Sequence, residues 1–135
     1  MSSFLDTNVL VYAVDATDPE RNARARALVE ACLRRGDGVV STQVLQEFFN
    51  VATRKMGIDA AAARRYVELF ASLETVQIST ELILGAIDLH RLRSISFWDA
   101  LVVRAASAAG CERVWTEDLQ AGATLDGVRV ENPFH

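Results

Sequence analysis

Apolar residues follow two rhythms along this chain. Short unbroken runs alternate with longer stretches in which apolar positions recur every three to four residues. The first rhythm is that of strands buried on both faces, and the second is that of amphipathic helices. The runs predict strands at Ser3–Leu5, Val39–Ser41, Thr75–Ile78, Arg113–Thr116 and Val128–Val130. One helix begins at Asp18 as N-cap with Pro19 at its first position, ends in arginines, and stops at Gly36. Others run from about Thr42 to Met56, from Asp59 to about Leu73, from Ser79 or Thr80 to about Arg93, and from Ser96 to Gly110.

Strands alternating with helices predict one α/β domain over residues 1–135, a three-layer α/β/α fold with a central parallel sheet of four to five strands. No Pro/Gly/Ser linker, repeat or low-complexity segment divides it. In such sheets ligands bind beyond the carboxyl ends of the strands. That places emphasis on "FLDTNVLVYAV", where Asp6 is the one charge in an apolar stretch and follows the first strand directly. A buried carboxylate is costly unless something pairs with it. An N-cap role for the next short helix accounts for Asp6 equally well when it is taken alone.

Three further acidic positions share this ambiguity. In "SFWDALVVRAASAAG" the only charges are Asp99 and Arg104, and helical spacing puts Asp99 on one face with Val102, Val103 and Ala106. A capping box with Ser96 explains an acid there but not its apolar surroundings. Glu47 borders the apolar stripe of Val44, Leu45, Phe48, Val51 and Ala52, where a boundary glutamate that snorkels and a functional one look alike. Glu117 and Asp118 in "VWTEDL" follow a predicted strand, as Asp6 does, so one of them faces Asp6 if the two strands are neighbours. Two carboxylates about 5 Å apart repel by roughly 3 kcal/mol at an effective dielectric near 20. Four together must take up protons or hold a cation, and an all-oxygen set selects Mg²⁺ or Mn²⁺ over zinc.

Composition changes this picture little. The net charge of -4 argues against a broadly basic nucleic-acid surface, although all but Lys55 of the 14 basic residues are arginine, the better phosphate ligand. An alanine-rich, arginine-rich coding bias explains that equally well. Cys32 and Cys111 fit no ligand spacing and read as reduced, buried thiols. No apolar run approaches a membrane span and no signal peptide is evident, which predicts a cytoplasmic protein without membrane contact. His90 and His135 stand near no nucleophile, and His90 is expected on a helix surface.

The order "LDTNVLVY", "QEF", "ISFWDALVV", "WTEDL" resembles a PIN-domain ribonuclease, and most of all the VapC-type toxins of bacterial toxin–antitoxin pairs. The likeness covers the chain from Phe4 to the final "VRVENPF". It implies a PIN-like fold and assigns the metal-holding, catalytic acids to Asp6, Glu47, Asp99 and Asp118. Asp118 is preferred to Glu117 because the family pattern is threonine, any residue, aspartate. Asn8 and Thr116 match the family's supporting polar positions. Glu117 departs from the pattern, standing where many relatives carry a basic or neutral residue.

The resemblance further implies hydrolysis of RNA phosphodiester bonds with Mg²⁺ or Mn²⁺, leaving a 5′-phosphate and a 3′-hydroxyl. Its expected partners are an RNA substrate, a small cognate antitoxin protein and a second copy of the chain. Arg91 and Arg93, just before "SISFWDA", are candidates for RNA contact, although cations at a helix C-terminus are also ordinary. Three other readings compete. A haloacid-dehalogenase-type phosphatase needs a second aspartate where Asn8 stands, and a catalytic lysine unlike the remote Lys55. A non-catalytic RNA-binding or scaffolding module gains nothing from clustered negative charge near phosphate. A housekeeping RNA-processing nuclease is the third, and a small antitoxin gene beside this one would discriminate it from a toxin.

Overall fold

The signals that open each helix act where they stand. Asp18 accepts the Arg21 N–H (3.2 Å), Ser41 the Val44 N–H (3.4 Å), Asp59 the Ala61 N–H (3.1 Å), and Ser79 the Leu82 N–H (3.2 Å). Each bond satisfies one of the backbone donors that a helix N-terminus leaves free. In the computed structural model, which describes residues Met1–His135, the elements run β1 (Ser3–Leu5), α1 (Thr7–Val14), α2 (Pro19–Arg35), β2 (Gly38–Ser41), α3 (Thr42–Arg54) and α4 (Ala60–Phe70). They continue with β3 (Glu74–Val76), α5 (Thr80–Arg93), α6 (Phe97–Ala108), β4 (Arg113–Trp115), β5 (Thr124–Leu125) and β6 (Val128–Glu131).

The sheet order is β3-β2-β1-β4-β6-β5, with every pairing parallel except β5 with β6. β1 is central, its Phe4 opposite Val39 of β2 and Val114 of β4. The chain moves from β1 to β3 in one direction and then crosses back to β4. Right-handed crossovers therefore put α1 to α4 on one face and α5 with α6 on the other. The helix contacts agree, since α1 packs on α2 and α3, α3 on α4, and α5 on α6. Both faces being covered explains why Phe4, Leu5, Val39, Val40 and Val114 are all fully buried, each contributing about 1.5–3 kcal/mol.

Two elements differ from the sequence expectation. A sixth strand, β5, forms an antiparallel edge beside the predicted parallel strands. Asp126 (φ 50°) and Gly127 (φ 77°) make a two-residue turn with both φ positive, which returns Leu125 against Val128. β3 occupies Glu74–Val76 rather than Thr75–Ile78. β2 turns into α3 after Ser41, so nothing pairs with the chain beyond Val76, and the Ile78 N–H donates instead to Thr42 Oγ1 (3.2 Å).

Cys32 and Cys111 are free, buried thiols. Burial pushes them up to about 11 and about 12, which leaves them protonated and inert. No helix is long and apolar enough to cross a membrane.

Candidate active site

β1 and β4 are neighbours at the point where the strand order reverses, so a crevice opens beyond their carboxyl ends. A cleft of about 490 Å³ lies there, lined by Asp6, Asn8, Gln43, Glu47, Asp99, Glu117 and Asp118 among others. The acids reach it from separate elements. Asp6 follows β1 and caps α1, Glu47 sits in α3, Asp99 in the first turn of α6, and Asp118 two residues past Thr116, whose N–H still donates to the Glu131 carbonyl beyond β4.

Asp6 is the most buried of them, at 4 % exposure. It is both an N-cap and a cleft residue. Oδ1 accepts the Thr7 N–H (2.7 Å), and Oδ2 accepts the Thr116 hydroxyl (2.8 Å). These bonds orient the carboxylate without neutralising it. Its pKa is pushed up to about 7, chiefly by burial, with repulsion from Asp118 and Glu47 adding to it and the two hydrogen bonds opposing it. Asp99 is also raised, again by burial first and then by Asp118, against the hydrogen bonding of Ser96. Ser96 Oγ accepts the Asp99 N–H (3.0 Å), so the capping role and the cleft position coexist.

Asp118 is held by a relay of hydroxyl and amide. Its N–H donates to Thr116 Oγ1 (3.0 Å), and its Oδ2 accepts from Asn8 Nδ2 (3.1 Å), which also donates to Thr116 (3.2 Å). Thr116 thus links Asp6, Asn8 and Asp118, and it is completely buried. Oxygen atoms of Asp6, Asp99 and Asp118 lie within 4.8 Å of one another. Glu47 lines the same cleft but stands outside that trio, with Oε1 accepting the Thr7 hydroxyl (2.7 Å). Glu117 turns to the rim, where it accepts from Arg21 Nε (3.2 Å).

The donor set fits a hard divalent cation. It is entirely oxygen, no basic side chain lines the cleft, and the buried Asn8 Oδ1 has no hydrogen-bond donor. The same holds for Gln43 Oε1, the oxygen of a 5 % exposed side chain whose Nε2 donates to the Trp98 carbonyl (3.2 Å).

Arg91 and Arg93 do not line the cleft. They end α5, where Arg93 donates to the Thr124 carbonyl (3.5 Å), and His90 is exposed with Nδ1 on the Ile95 carbonyl. Gln43 and Arg21 escape a reading of the sequence for acids. Gln43 has a signal nonetheless, because Gln43, Glu47 and Asn50 form a polar stripe at helical spacing on α3 and all three line the cleft.

Residues 3–123 match the family model described as PIN domain. Comparison with curated protein sequences gives no significant match. Among solved structures the chain is similar to VapC20 of Mycobacterium tuberculosis, a sarcin-ricin loop cleaving toxin, at 24 % identity and TM-score 0.68 over 84 % of this chain and 87 % of that one. It is similar to a toxin–antitoxin complex from Klebsiella pneumoniae at 19 % identity and TM-score 0.70, over 94 % and 95 % of the two chains. A chain of VapBC2 from Rickettsia felis, bound to a DNA fragment from its promoter, gives 19 % identity and TM-score 0.70 over 98 % of each.

Proposed function

Because the chain belongs to the PIN domain family, we propose that it is an endoribonuclease that uses Mg²⁺ or Mn²⁺ and serves as the toxin of a toxin–antitoxin pair. The observation that carries this reading is the convergence of Asp6, Asp99 and Asp118, whose oxygens come within 4.8 Å of one another at the sheet's switch point. A nuclease needs this arrangement, whereas a module that only binds RNA is weakened by it. The similarity in fold to toxins and toxin–antitoxin complexes supports the biological role.

Asp6, Asp99 and Asp118 would hold the cation, with Glu47 offering its Oε2 from the α3 wall. When bound, such an ion polarises a phosphate oxygen and lowers the pKa of water. The protein's own residues prepare for it. Thr7 and Thr116 fix both oxygens of Asp6, and Asn8 fixes one oxygen of Asp118, so the ligands need little rearrangement. The products would be a 5′-phosphate and a 3′-hydroxyl.

The proposal extends to RNA as substrate, to a small antitoxin protein as partner, to a homodimer, and to action in the cytoplasm. Incubating purified protein with single-stranded RNA in Mn²⁺ and in EDTA, and mapping the new ends, tests the chemistry. Cleavage in EDTA, or products with 3′-phosphates, would overturn it. Co-purification with the product of an adjacent small gene tests the toxin role against that of a housekeeping nuclease.

A further inference from the structure

Five acids line the cleft and no basic side chain does, so an RNA strand entering it needs cationic contact from the rim. Only one guanidinium is bonded to a lining residue. Arg21, on the first turn of α2, donates from Nε to Glu117 (3.2 Å) and from Nη1 to Asp18 (3.2 Å). The rings of Tyr12 and Phe134 lie together beside it, with centroids 5.6 and 5.5 Å from the guanidinium carbon, and pack edge-on against each other at 5.1 Å. No protein acceptor reaches the outer Nη2. A side chain bonded at two nitrogens and backed by two rings has lost part of its rotamer freedom before any ligand binds. The side chain is still 41 % exposed.

We propose that Arg21 is the RNA-backbone contact of this site, its Nη2 donating to a phosphate that flanks the one held over the acids. The inference rests on the ribonuclease reading given above. Glu117 then has a role that explains its departure from the family pattern. It orients Arg21, and in doing so its own charge is masked where it would otherwise repel RNA. Arg21 makes no bond to Asp6, Asp99 or Asp118, so its removal leaves the trio's own contacts in place.

The test compares Arg21→Met, Arg21→Lys and Glu117→Gln. Binding of a fluorescently labelled, mixed-sequence single-stranded RNA is followed by anisotropy at several KCl concentrations, in an Asp6→Asn background that prevents cleavage. Arg21→Met should weaken binding about tenfold and reduce the slope of log K against log salt by about 0.7, the loss of one phosphate contact on a single strand. Arg21→Lys should keep the slope but lose part of the affinity, since a point charge replaces the fork. Glu117→Gln should bind at least as well as the parent. In otherwise wild-type protein the Mn²⁺-induced rise in melting temperature should be unchanged by Arg21→Met.

Unchanged RNA binding in Arg21→Met would overturn the proposal. So would a loss in Glu117→Gln equal to that in Arg21→Met, because Arg21 would then act only as a tether for the turn carrying Asp118. If wild type cuts no RNA in Mn²⁺, the ribonuclease reading itself has failed. If wild type cuts and Arg21→Met binds normally, only this contact has failed.

Discussion

Gln43 reaches across the carboxyl edge of the sheet and donates its amide Nε2 to the carbonyl of Trp98 at 3.2 Å. The bond joins the first turn of α3 on one face to the first turn of α6 on the other. A backbone carbonyl can only accept, so the amide's orientation is determined, and Oε1 is the atom left without a partner. The next residue after Trp98 is Asp99. Gln43 therefore braces the helix turn that carries Asp99, a proposed metal ligand, at the cost of one unsatisfied buried acceptor.

Gln43→Met keeps the volume and removes the orphaned oxygen. The metal-free protein should melt no lower than wild type and up to a few degrees higher, since an unsatisfied buried group costs about 1–3 kcal/mol. Mn²⁺ affinity should fall about tenfold, as it does when a supporting partner of a ligand is lost. Melting curves in EDTA and Mn²⁺, with calorimetric titration of Mn²⁺, separate the two effects. A lower melting temperature with normal Mn²⁺ affinity would mean the amide is only a brace.

Asp6 carries a pH signature. Its folded pKa is pushed up to about 7, above the ordinary carboxylate value near 3.9. Between about pH 4 and pH 7 the folded state thus binds a proton that the unfolded chain does not, and metal-free stability falls as pH rises through that window. The total fall is on the order of a few kcal/mol. Asp6→Asn should flatten it, and should be the more stable protein above pH 7 in EDTA. Added Mn²⁺ should reverse the ranking by stabilising wild type. Parallel melts across pH, with and without Mn²⁺, check this, and a flat wild-type profile in EDTA would contradict it.

Thr116→Val tests the hydroxyl that links three site residues. Valine matches the shape but supplies no donor to Asp6 and no acceptor for Asn8 or the Asp118 N–H. Stability should drop by about 1–3 kcal/mol. The pKa of Asp6 should rise further, because the Thr116 bond is the strongest influence lowering it. Cleavage should fall at least tenfold in kcat, with recovery at higher pH as Asp6 ionises.

Gly38→Ala tests the fold apart from the site. An added Cβ would stand 2.7 Å from Cys32 Cβ and 3.1 Å from Leu73 Cδ2. That contact lies at the amino end of β2, away from the cleft. The variant should lose about 1–3 kcal/mol of stability yet retain wild-type Mn²⁺ affinity below its melting transition. Loss of metal binding at temperatures where it is folded would show that the two ends of the sheet are coupled.

The residues that are easiest to read in the sequence are those whose polarity clashes with their neighbours. Asp6 and Asp99 stand out because each is a lone acid in an apolar run, and both lie in the trio. Glu47 is ambiguous because it sits on a boundary, and its bond to Thr7 comes from a segment forty positions away. Arg21 is invisible for the same reason, since nothing local connects it to Glu117. Arg91 and Arg93 stand close to Asp99 along the chain yet do not line the cleft, the chain turning at Ser94 with φ 55° between them. β5 is too short to show periodicity, but its Asp126–Gly127 turn is a local signal that the structure uses.

Central placement of β1 also has a consequence for the order of manufacture. Asp6 is made well before Thr116 and Asp118, which arrive only with and after β4. A chain interrupted before β4 leaves β1 with β2 as its sole neighbour, Asp6 without its orienting hydroxyl, and the trio without its third carboxylate. The three carboxylates can therefore come together only once β4 and the turn after it have been made.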